Sequence, residues 1–147
     1  MIRLAAALLL SLTSPDSVQA ERLESRYGVV SAEPVSGDPP RTQISFRGRV
    51  VAEINAESAT LYRATPVDAR EYVIVKSWKP GLYCHNEYML LQVSEDGSAN
   101  GSPAFGECYD LVAAKITKRG IRIKLRSSGP RNDAATVTWA GGKIETQ

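Results

Sequence analysis

The chain has one histidine and two cysteines among 147 residues, and these shortages set the first limits on its chemistry. A single imidazole leaves little room for metal ligation or acid/base work, which most often draw on histidine. No Gly-X-Ser-X-Gly elbow, His-Glu-X-X-His pair, glycine-rich phosphate loop or Cys/His cluster occurs, so the commonest hydrolase, nucleotide and zinc signatures are absent. No internal repeat or low-complexity segment is visible, and no apolar run is long enough to span a bilayer as a helix. An excess of one charge is missing too. Lys and Arg total 18 against 16 Asp and Glu, and a formal charge of +2 is too small to draw the whole molecule onto nucleic acid. What remains is an ordinary globular composition, 43% hydrophobic and 23% charged, of a length that suits one domain.

The first twenty residues read as an address. Arg3 precedes an apolar run from Leu4 to Leu12, and a polar stretch with Pro15 leads to the small-residue end Val18-Gln19-Ala20. That order is the pattern of a secretory signal peptide, cleaved after Ala20. The run is about half the roughly 20 residues a membrane-crossing helix needs, so no transmembrane segment is expected after cleavage. Export to the periplasm or the medium places Cys84 and Cys108 in an oxidising compartment, where two cysteines imply one disulfide. Closing a loop of roughly 25 residues stabilises a domain by about 3 to 4 kcal/mol in the chain-entropy model.

The remainder reads as mainly β, an antiparallel sandwich or small barrel. Alternation of apolar and polar residues marks strands over Thr42–Val50, over Ile121, Ile123 and Leu125, and at Val137 and Trp139. Ser58–Ala64, Tyr72–Val75 and Glu87–Val93 add further strands, with Tyr72–Val75 covered on both sides. Asn55–Glu57 and Leu111–Ile116 contain enough alanine for helical turns. Asp96-Gly97, Asn100-Gly101 and Gly141-Gly142 are among the turn signals. Residues 21–41, rich in proline and glycine toward their end, are expected to form a loosely ordered arm preceding a β domain over 42–147.

Charge is unevenly placed. From Cys84 to Asp110 there are five acidic residues and no lysine or arginine, whereas Leu111 to Asn132 holds seven basic residues and no acid. Either these segments neutralise each other across paired strands, or the molecule has acidic loops and a basic sheet face built on Arg122, Lys124 and Arg126. Such a face suits a protein partner of the envelope or an anionic glycan or lipid. Nucleic acid is not expected, because no aromatic ladder interleaves with the basic residues.

Two other candidate sites stand out. Asp96 to Glu107 has the twelve-residue spacing of an EF-hand calcium loop, with Asp96, Ser98, Asn100, Gly101 and Glu107 at the positions that matter, although serine at the third place and strand-like flanks favour a plain hairpin. The midpoint of Cys84 and Cys108 is residue 96, so a turn at Asp96-Gly97 brings the two cysteines together. His85 and Glu87, two apart, suggest an orienting carboxylate beside a base, the minimum for an envelope hydrolase.

The order Gly81-Leu-Tyr-Cys84, Tyr88–Val93, Asp96-Gly97, Ser102-Pro-Ala-Phe-Gly106, Cys108-Tyr-Asp110-Leu111 and Trp139–Ile144 resembles small exported proteins of unknown function from Gram-negative bacteria. The resemblance covers roughly residues 72 to 146. It implies a β-rich domain in which Cys108 pairs with Cys84, and it implies no activity. The expectation overall is an exported, non-enzymatic binding or inhibitor-like protein without a cofactor or metal.

Overall fold

In a computed structural model, the described residues are 21–64, 70–79, 85–130, 133–140 and 142–147. They form twelve strands, β1 (Glu21–Ser25), β2 (Gly28–Val35), β3 (Arg41–Phe46), β4 (Arg49–Ile54), β5 (Ser58–Arg63), β6 (Glu71–Trp78), β7 (Asn86–Val93), β8 (Ala99–Gly101), β9 (Tyr109–Ile116), β10 (Gly120–Ser127), β11 (Ala134–Ala140) and β12 (Lys143–Thr146). These make three four-stranded antiparallel sheets, ordered β1-β2-β3-β4, β5-β6-β7-β8 and β12-β11-β10-β9. Each sheet is a meander of sequence neighbours, which keeps its pairings local.

The second sheet lies between the other two. Along β6 and β7, Val73, Val75, Met89, Leu91 and Val93 pack against Val30, Ala32, Ile44 and Phe46 of the first sheet. The alternate residues Tyr72, Ile74, Tyr88 and Leu90 pack against Ile121, Ile123, Leu125, Val137 and Trp139 of the third. A strand covered on both faces has no wet side, so it reads as a continuous apolar run, whereas β10 alternates buried and exposed residues. The two-sided covering expected for Tyr72–Val75 is therefore present, and Glu87–Val93 is a buried strand.

Four expectations need correction. Residues 21–41 are not a loose arm: β1 and β2 are two of the four strands of the first sheet, and Val30 and Ala32 are buried in its core. Thr42–Val50 is not one strand, because Arg47 and Gly48 both take positive φ, 52° and 74°, and turn β3 back into β4. Two consecutive left-handed residues are the requirement of a type I′ two-residue hairpin turn, and Gly48 meets it without a side-chain penalty. Leu111–Ile116 lies within a strand, β9, since pairing with β10 outweighs alanine's helical preference. Asn100-Gly101 likewise belongs to β8 instead of a turn.

One buried carboxylate ties the first two sheets together. Glu71, at the start of β6, is 0% exposed. Its carboxylate accepts from Arg63 Nε of β5 at 2.6 Å and from the Arg26 amide in the β1–β2 turn at 2.6 Å. Removing Arg63, itself half-exposed, takes a charged donor from a buried carboxylate and leaves it the Arg26 amide, whereas both partners of the Arg41–Glu53 pair at 2.9 Å are solvated. Arg63→Ala is therefore expected to lower unfolding free energy by about 2 kcal/mol, and Arg41→Ala by about 0.5 kcal/mol. Urea unfolding of the two variants checks this, and equal losses would contradict it.

Candidate binding surface

The outward face of the third sheet assembles from the alternation of β10. Ile121, Ile123 and Leu125 point into the core, which forces Arg122, Lys124 and Arg126 outward. Register then decides their neighbours. Arg122 faces Lys115 on β9 and Thr138 on β11, Lys124 faces Ala113 and Thr136, and Arg126 faces Asp110 and Ala134. A bulge between Lys124 and Leu125 shifts the β9 register by one, so that Val112 has no partner across the ladder and stands 55% exposed.

Neutralisation across strands, one of the two readings of the charge blocks, does not occur here. Only Asp110 lies opposite a basic residue of β10, and its Oδ1 accepts from Asn86 Nδ2 at 3.3 Å. Among the described residues, Lys115, Arg122, Lys124 and Arg126 make no ion pair. Glu145 on β12 shares the row of Arg122 but sits two strands away, beyond Thr138. The acids of the preceding block are elsewhere: Glu95 and Asp96 are in the β7–β8 turn and Glu87 is held by Lys79. Lys115 is the basic residue that the alternation of β10 alone does not reveal. Reflecting Arg122 through the turn at Lys118-Arg119 finds it.

His85 and Glu87 do not form a catalytic pair. The imidazole stacks on Trp78 at 5.7 Å between ring centres, and its Nδ1 lies 3.1 Å from the Lys79 carbonyl oxygen. Glu87 accepts from Lys79 Nζ instead, and no hydrogen bond among the described residues joins it to His85. Glu87 lines a cleft of about 380 Å³ with Glu53, Val75, Ser77, Lys79 and Met89. Its charged groups and the Ser77 hydroxyl are already engaged: Glu53 with Arg41 and Gln43, Glu87 with Lys79, and Ser77 with the Glu87 carbonyl at 3.0 Å.

The calcium-loop spacing from Asp96 to Glu107 does not fold as one cation loop. Asp96-Gly97 is the expected hairpin turn, Ala99–Gly101 pairs with β7, and Phe105 bridges to Tyr88, which draws the later positions along β7. Among the described residues no three His, Cys, Asp or Glu side chains gather at one point. The turn is fastened by Arg47, whose Nε donates to the Tyr27 carbonyl at 2.7 Å and whose Nη2 donates to the Glu95 carbonyl at 2.9 Å.

Cys84 lies outside the described residues. Cys108 is not a free thiol, and its amide donates to the Asn86 carbonyl at 3.2 Å. Residues 1–20, where the signal peptide is expected, also lie outside them. No described helix is long and apolar enough to cross a membrane. Compared with known proteins, the chain matches no family model, no curated protein and no solved structure.

The Asp96 carboxyl is held below its ordinary pKa, first by hydrogen bonds from Ser98 and further by the positive charge of Arg47. The Ser98 amide donates to Asp96 Oδ1 at 2.9 Å. A depressed folded-state pKa means the turn's stabilisation is present above the unfolded carboxyl value and is lost as pH falls through the folded one. Ser98→Ala removes the side-chain part of this stabilisation, so the Asp96 titration followed by NMR should move upward. An unchanged titration would show that the hydroxyl has no part in it.

Proposed function

We propose that this chain is an exported, non-enzymatic binding protein of the cell envelope, with a Cys84–Cys108 disulfide, that docks an anionic protein partner through the outer face of its third sheet. The observation that carries the reading is the set of Lys115, Arg122, Lys124 and Arg126 on one exposed sheet face with no ion pair among the described residues. Like charges placed opposite each other, as Arg122 and Lys115 are, cost stability unless something outside the sheet compensates. An acidic surface does so and is drawn to the site by long-range attraction.

The other parts of the reading have separate support. The start of the chain has the charge and apolar pattern of an export signal, and a chain beginning at Glu21 keeps every described strand. The state of Cys108 and the proximity of its amide to Asn86, two residues from Cys84, favour the disulfide. The engagement of His85 and Glu87 with other groups favours binding over catalysis.

Retention of a partner from envelope extract on the immobilised protein tests the proposal. Capture should occur at low salt, weaken as salt screens the charges, and be abolished when Arg122→Ala, Lys124→Ala and Arg126→Ala are combined. Capture of the same protein by the triple variant would overturn the assignment of the surface, and no capture at all would overturn the function.

A further inference from the structure

Resting on the basic face just described, a smaller feature specifies the chemistry it receives. We propose that a notch in that face binds a phosphate monoester group. Lys115, Arg122 and Lys124 rim a depression of about 280 Å³ whose remaining lining residue is Ala113. The four form a rectangle of the β9–β10 ladder, with Ala113 opposite Lys124 and Lys115 opposite Arg122. Neighbours stand about 5 Å apart across the strands and about 7 Å apart along them. Three corners carry cations and the fourth a methyl group, so the long side chains surround a space left open by the small one.

The ligand class follows from charge and size. A carboxylate brings one negative charge to three cations. A phosphate monoester brings about −1.5 to −2 at neutral pH with three acceptor oxygens, enough for one hydrogen bond from each of Lys115, Arg122 and Lys124. A phosphodiester carries one charge and only two free oxygens, so it leaves one donor unmatched. The charged groups around the notch are Lys115 and Asp110 on β9, Arg122, Lys124 and Arg126 on β10, and Glu145 on β12. Neither acid lines the notch.

Inorganic phosphate added to the isotopically labelled protein at about pH 7.5 should shift the backbone amides of Ala113, Lys115, Arg122 and Lys124 saturably. Lowering the pH to about 5 protonates the ligand while lysine and arginine stay charged, so affinity should fall roughly threefold. Ala113→Leu fills the notch at unchanged net charge and should weaken binding roughly tenfold, as should Lys124→Gln. Vesicles of phosphatidylcholine doped with phosphatidic acid separate a lipid headgroup from free phosphate as the source. Retention on them beyond that on phosphatidylglycerol vesicles of equal surface charge indicates the headgroup, and phosphate binding without such retention indicates the free ion; either supports the phosphoryl assignment. Equal binding by Ala113→Leu, or no saturable shift together with equal retention on the two vesicle types, overturns it. Capture of an acidic protein without phosphate binding overturns the notch and leaves the proposed function standing, whereas phosphate binding without protein capture does the reverse.

Discussion

The covering of β6 and β7 on both faces is the constraint on which the rest depends. Once Val73, Val75 and Leu91 require one apolar partner surface and Ile74, Tyr88 and Leu90 another, the chain must supply a sheet on each side. The residues before β5 supply the first and those after β8 the second. Each outer sheet then needs only one apolar face, which leaves its other face for polar residues. The basic surface of the third sheet follows from the apolar alternation of Ile121, Ile123 and Leu125 as much as from the basic residues between them.

The sheets differ in how they are fastened. Between the first and second, a polar framework supplements the apolar contact: Glu71 joins β5, β6 and the β1–β2 turn, and Arg47 joins that turn to the β7–β8 turn. Between the second and third, the contact is dominated by large side chains, with Tyr72 edge-on to Trp139 at 5.9 Å and the Tyr88 hydroxyl donating to the Tyr109 carbonyl at 2.9 Å. Buried polar links specify position more sharply than apolar contact does, because a displaced carboxylate such as Glu71 loses all its partners at once.

Much of this was legible in the residues and some was not. Period-two patterns identified β10 and β11, and a continuous apolar run identified the strands of the middle layer. β1 and β2 escaped notice because a proline-glycine stretch at residues 34–40 dominates the composition of 21–41, although Val29, Val30 and Val35 mark β2. The β3–β4 turn was hidden because Arg47 is an uncommon residue at positive φ and Gly48 falls in step with the alternation. The candidate face was half visible. Arg122, Lys124 and Arg126 follow from one strand, but Ala113 and Lys115 join them only through the register with β9, and the bulge at Val112 shifts that register in a way no local pattern announces. His85 and Glu87 lie two apart in the sequence and are claimed by Trp78 and Lys79 in space.

The central claim is that this protein meets its partner through the outer face of the third sheet. Acylation of lysines in whole envelope extract, compared with the purified protein in buffer and read out peptide by peptide, addresses it whatever the partner's identity. Lys115 and Lys124 should lose reactivity in extract, while Lys79, which lines the cleft between the first two sheets, keeps its own. Protection of Lys79 with Lys115 and Lys124 fully reactive would contradict the account.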